Sequence, residues 1–69
     1  MVKVNGVNMD VDEQIAFDVV SSLGFKENTY VLELNEEILK KDSYKSTILH
    51  SGDVLEVVSF MGGGWFLFV

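Results

Sequence analysis

The chain of 69 residues contains no cysteine, which excludes a disulfide framework and a thiolate metal site as sources of stability. Cations are also scarce: five Lys and Arg stand against eleven Asp and Glu, leaving a formal charge of −6. Such a chain is poorly suited to nucleic acid, where Lys and Arg neutralise phosphates, and to anionic membrane surfaces. A basic protein partner is the natural complement, with simple solubility as the plain alternative. The only histidine is His50, in a predicted turn, where an exposed loop position is expected. With no clustered catalytic set, neither enzyme activity in its own right nor a bound metal or cofactor is expected. No basic segment followed by an apolar stretch marks the N-terminus as a signal peptide, and no apolar run is long enough to span a bilayer. A cytoplasmic location is the expectation.

What the chain does have is an apolar content of 48%, enough for one small domain built on a hydrophobic core and too much for disorder. Val2 and Val4 alternate into Asn5-Gly6, and Val7, Met9 and Val11 follow. Asn-Gly between alternating apolar residues predicts a hairpin with Val4 opposite Val7 and Val2 opposite Met9, all on one face. Asp12 is the expected N-cap of a helix with Glu13 in its first turn. Ile15, Ala16, Val19, Val20 and Leu23 form its apolar stripe, with Phe17 off it, and Gly24 ends it. Thr29 to Leu34 reads as a strand, Asn35-Glu36 as a turn and Ile38-Leu39 as a short strand. Tyr44 is the anchor of a polar loop, His50 to Asp53 is a turn, and Val54 to Met61 is the final strand. This order predicts an α+β fold with one main helix packed across a mixed sheet. The final strand is apolar on both faces, which suits the middle of the sheet.

Gly62-Gly63-Gly64 directly follows that strand, and Trp65-Phe66-Leu67-Phe68-Val69 follows the glycines. The sequence thus divides into a domain over residues 1–61, a flexible glycine tail over 62–64 and an apolar extension over 65–69. A glycine tail can thread a narrow channel because it has no Cβ. The alternative is a hinge that lets residues 65–69 fold back as an extra strand or an apolar plug. Left exposed, those residues would form an aggregation-prone cluster, so they are expected to pack on their own domain or on a second chain. Phe60 and Met61, at the base of the tail, suit a docking patch, with a core position as the alternative. Glu33, Glu36, Glu37 and Glu56 suit a basic partner surface, with a solvated face as the alternative.

Taken together, these segments resemble the ThiS-type sulfur carriers, ubiquitin-like β-grasp proteins of thiamin thiazole synthesis related to the MoaD-type carriers. The resemblance is carried by Val2-Lys3-Val4-Asn5-Gly6, Leu32-Glu33-Leu34-Asn35, Glu37-Ile38-Leu39 and Tyr44. It continues through Thr47-Ile48-Leu49, Gly52-Asp53 and Glu56 to Gly64, and so covers residues 1–64. Members commonly have a proline where this chain has Lys40-Lys41, and they typically end at Gly-Gly, where this chain continues with Trp65 to Val69. The resemblance implies a mixed sheet of four to five strands and a protein co-substrate rather than an enzyme. It implies an E1-like, ThiF-type adenylyltransferase and thiazole synthase as partners.

By the same resemblance, Gly64 is the residue adenylated and converted to a thiocarboxylate, with Gly63 and Gly62 as the tail. As written, the Gly64 carbonyl belongs to a peptide bond, and an amide oxygen is a poor nucleophile toward ATP. Three explanations stay open. A processing protease removes Trp65, Phe66, Leu67, Phe68 and Val69; the extension is retained in a non-conjugating relative; or Val69 is itself activated, which its bulk and that of Phe68 disfavour. A carrier for molybdopterin or cysteine-type synthesis is the sibling reading. A β-grasp interaction module that self-associates through its apolar tail is the reading from another class.

Overall fold

The computed structural model describes residues 1–61 and 64–67, with side chains as far as Ser59. In chain order the elements are β1 (Val2–Val4), β2 (Val7–Met9), α1 (Ala16–Ser22), β3 (Tyr30–Leu34) and β4 (Glu37–Leu39). A 3-10 turn (Lys41–Ser43), β5 (Val54–Met61) and β6 (Gly64–Leu67) follow. The sheet runs β2-β1-β5-β3-β4, and β6 joins it on β5. Strands β1 and β5 are parallel and the remaining pairs antiparallel. This is the expected β-grasp, with the last long strand beside the first in the middle of the sheet and one helix across it.

The first hairpin forms because Asn5 and Gly6 take positive φ values of 48° and 82°, the turn that matches strand twist. Its register pairs Val2 with Met9 and Val4 with Val7, as predicted. Val2 and Val4 are buried, whereas Val7 is 61% exposed. Its strand is the edge of the sheet, next to the turn, so sharing a face with Val4 does not bring it under cover.

Helix α1 starts later than the sequence predicts, and Asp12 is not its cap. Ile15 occupies the N-cap position without a side-chain hydrogen bond. The preceding backbone is drawn into the neighbouring loop instead: Glu13 N–H donates to Leu49 C=O at 2.8 Å, and Leu49 N–H donates to Gln14 C=O at 2.8 Å. Ala16 and Phe17 N–H donate to the Thr47 and Tyr44 carbonyls at 2.8 and 3.1 Å, so tertiary acceptors replace a capping side chain. Asp12 faces the Met1 amine at 3.3 Å. At the other end Gly24, with φ of 96°, turns the chain out of the helix as expected.

The helix presses Ala16, Val19 and Val20 onto Val2, Val4, Leu32, Leu55 and Val57 of the sheet, and Leu49 closes the cluster. Tyr44 anchors its loop as expected. It is buried, its ring stacks on Tyr30 at 5.8 Å, and its hydroxyl accepts the buried Leu32 N–H at 3.1 Å. A second polar clamp fixes the entry to β5. Asn35 donates to Asp53 at 3.1 Å and accepts from Val54 N–H at 2.9 Å, while the other Asp53 oxygen accepts His50 N–H at 2.8 Å.

Replacing Tyr44 by Phe keeps the ring but orphans the Leu32 amide in the core, so Tyr44→Phe is expected to cost about 1–3 kcal/mol in urea unfolding. The bonds from Asn35 and then from the His50 amide hold the Asp53 carboxyl below its ordinary pKa of 3.8. The stability this contributes is fully present above 3.8 and is lost as the pH falls below that value through the lower folded value. Acid unfolding curves of Asn35→Ala are expected to show a smaller loss across that window than wild type.

Candidate functional site

The feature that organises the site is the way β5 distributes its hydrogen bonds between its two edges. Asp53 and Leu55 carbonyls accept from Lys3 and Asn5 N–H on the β1 side, at 2.9 and 3.0 Å. Val54 bonds Asn35 on the β3 side through both its carbonyl and its N–H. Odd-numbered residues of β5 therefore point their backbone groups toward β1, and even-numbered ones toward β3. Strand β1 ends at Val4, before β5 does. Asn5 then uses its side chain where its backbone turns away, and its Oδ1 accepts Val57 N–H at 2.8 Å.

Beyond that point the same edge is taken by β6. Val58 faces Leu67, Ser59 faces Phe66, Phe60 faces Trp65, and Met61 faces Gly64. The other edge of Val58 and Ser59 is already held by Val31 and Tyr30, so β6 lies on the β1 side, continuing the line of β1. Only Gly62 and Gly63 stand between the paired strands. They are the residue type that two-residue hairpin connections favour.

Of the residues singled out in the sequence, Gly64, Trp65, Phe66 and Leu67 are thus brought together as the backbone of β6. Phe60 and Met61 are the last residues of β5, opposite Trp65 and Gly64. The side chains from Phe60 onward, and all of Gly62, Gly63, Phe68 and Val69, lie outside the described residues. His50 is exposed, as expected, in the turn that leads into β5. It stands at the opposite end of that strand from Met61, on the order of 20 Å away at the usual strand rise.

The face of the sheet away from α1 is open. Near the base of the tail it presents Val31 directly opposite Val58, both half-buried, and next to them Glu33 directly opposite Glu56. Glu36 and Glu37 lie at the exposed β3–β4 turn, apart from that pair. The Val31–Val58 pair was not singled out in the sequence, where both residues read only as strand formers. On the helix side, a cavity of about 360 Å³ lies between Phe17, Glu27, Tyr30, Tyr44 and Lys45. Lys45 Nζ sits 4.7 Å above the Phe17 ring and 3.5 Å from Glu27. Burial first, then the nearby Tyr44 and Glu27, push the Tyr30 phenol pKa up. Among the described residues no group of His, Cys, Asp and Glu could hold a metal ion, and no helix is long and apolar enough to cross a membrane.

The chain matches the model of the ThiS family over residues 2–64. It is 33% identical over 66 residues to the sulfur carrier protein ThiS of Bacillus subtilis, covering 93% of this chain and all of that one. It is 32% identical over 62 residues to a thiazole synthase of Paramagnetospirillum magneticum, and there it spans 88% of its own length but only 19% of the relative's. Its fold superposes on the crystal structure of the thiamine biosynthesis protein ThiS from Geobacter metallireducens with a TM-score of 0.70 and 31% identity. That superposition covers 91% of this chain and 97% of the other.

The direct Glu33–Glu56 pairing sets like charges across adjacent strands. Glu56→Lys is expected to raise stability by about 0.2–1 kcal/mol at low salt, and by less as salt is added, in urea unfolding.

Proposed function

Since this chain belongs to the ThiS family, we propose that it works in thiamin synthesis as a protein sulfur carrier whose working terminus is Gly64, exposed by removal of Trp65 to Val69. The observation that carries this reading is positional. The family match runs through residue 64 and stops there, at the glycine run that follows the central strand. The five strands β1 to β5 and the helix all precede those glycines, and β6 lies almost entirely beyond the family match.

The chemistry asks little of the carrier beyond its terminus. An E1-like adenylating enzyme binds ATP, and a Gly64 carboxylate oxygen attacks the α-phosphorus, releasing pyrophosphate and leaving an acyl adenylate. A sulfide-level sulfur donor then adds to the acyl carbon and expels AMP, and the carrier ends in a thiocarboxylate for thiazole synthase to consume. Ordering a glycine tail costs entropy, so contacts from the folded domain must offset it. The open sheet face suits that task, with the apolar Val31–Val58 pair near the tail and the acidic Glu33–Glu56 pair beside it for a basic partner. Phe60 and Met61 extend this docking region to the tail itself.

The thiamin route is favoured over molybdopterin or cysteine-type synthesis by the family model and by the relatives that match. A self-associating module is less favoured, because β6 satisfies the β5 edge within one chain. The test is intact mass after incubation with an adenylating enzyme, ATP and a sulfide donor. A chain ending at Gly64 is expected to gain one sulfur in place of one oxygen, and the full chain to stay unchanged. A Gly64-terminated chain that is never adenylated would sink the reading.

A further inference from the structure

Building on the reading of Gly64 as the working terminus, we infer that β6 is a latency strand that holds the Gly64–Trp65 peptide inside the sheet, so that this bond is hydrolysed only after β6 has lifted off β5. Backbone groups along β5 alternate between its two edges. Asp53, Leu55 and Val57 turn their backbone groups toward β1 and Asn5, so Ser59 and Met61 turn theirs to the same edge. Their register partners are Phe66 and Gly64. In an antiparallel ladder the residues whose groups face each other exchange both hydrogen bonds, so Met61 bonds Gly64 and Ser59 bonds Phe66. The Gly64 carbonyl, which is the carbonyl of the bond to be cut, accepts from Met61 N–H.

That engagement blocks hydrolysis for a simple reason. A protease reads its substrate as an extended strand, through the same N–H and C=O groups that β5 already occupies. Water must add to the Gly64 carbonyl carbon, and the C–N bond must break to leave a carboxylate on Gly64 and an amine on Trp65. Neither step has access while the peptide is one strand of a hairpin. The same pairing keeps Gly64 opposite Met61, so the unprocessed chain cannot extend that residue into a nucleotide site. Partner contacts that compete for the edge at Ser59 and Met61 would release β6, which couples trimming to encounter with a partner.

Amide hydrogen exchange of the full chain reads this directly. Ser59 and Met61 amides are expected to be protected, and Val58, which faces β3, serves as the internal reference. Met61→Pro removes one ladder donor, leaves residues 64–69 unaltered, and lies beyond the part of β5 paired with β3. In that variant Ser59 is expected to exchange about tenfold faster with Val58 unchanged, and chymotrypsin to cut among Trp65 to Phe68 about tenfold faster by intact mass. Wild-type Ser59 and Met61 amides exchanging at unprotected-peptide rates would overturn the inference. So would equal cutting of both chains while Val58 stays protected. If Val58 loses protection in the variant, the variant has unfolded and the wild-type exchange decides alone. None of these readouts involves adenylation, so failure of Gly64 to be loaded would strike the carrier reading and leave the latency strand standing.

Discussion

Strand β5 must be hydrogen-bonded along both edges, and the rest of the molecule is arranged around that demand. A central strand buried on one face cannot leave its backbone groups unpaired without a cost comparable to a lost hydrogen bond at each one. On one side β3 meets it from Leu55 to Ser59 in continuous register. On the other side the chain uses three devices in succession: β1 beside Val54 and Leu55, the Asn5 side chain at Val57, and β6 from Val58 onward. The parallel partner is short because it belongs to a tight hairpin, so the edge it leaves bare falls where the tail begins.

Much of this is written locally in the sequence. Asn5-Gly6 marks the first turn because both positions need positive φ, and the apolar run Val54 to Met61 marks a strand covered on both edges. Asn35-Glu36 is legible as a turn only through its asparagine. Glu36 also sits at a φ of 70°, a conformation that its side chain does not favour and that the clamp to Asp53 and Val54 helps to hold. Tyr44 announces itself as the one aromatic of a polar loop, and its burial follows from having both a ring to stack and a hydroxyl to satisfy.

What the sequence does not show is set by contacts between distant residues. Asp12-Glu13 has the composition of a helix start, yet the backbone from Glu13 to Phe17 is claimed by Tyr44, Thr47 and Leu49, more than twenty-five residues onward. Propensity loses to that bridge because Glu13 and Gln14, together with the first N–H groups of the helix, find acceptors or donors there that no local cap would supply. The exposure of Val7 has a similar origin: alternation assigns a face, and the neighbouring strand decides whether that face is covered. The candidate site is split in the same way. Its glycines are plain in the sequence, while the β6 register, the Asn5 cap and the Val31–Val58 pair exist only once β5 has neighbours.

The glycine run shows why composition alone leaves two readings standing. A channel leading to a nucleotide favours glycine because nothing projects from the backbone. A two-residue connection between antiparallel strands favours glycine because of the dihedrals it needs. The residues that follow separate the two. Trp65, Phe66, Phe68 and Val69 are strong strand formers, and without β6 the β5 edge would have unpaired donors and acceptors at Ser59 and Met61. A chain ending at Gly64 has too little left to pair with that edge and must present the glycines outward. One that continues in β-forming residues pairs them back onto β5 instead. Extension and concealment are therefore one property of this sequence, because the tail leaves the domain from the very edge that a further strand would complete.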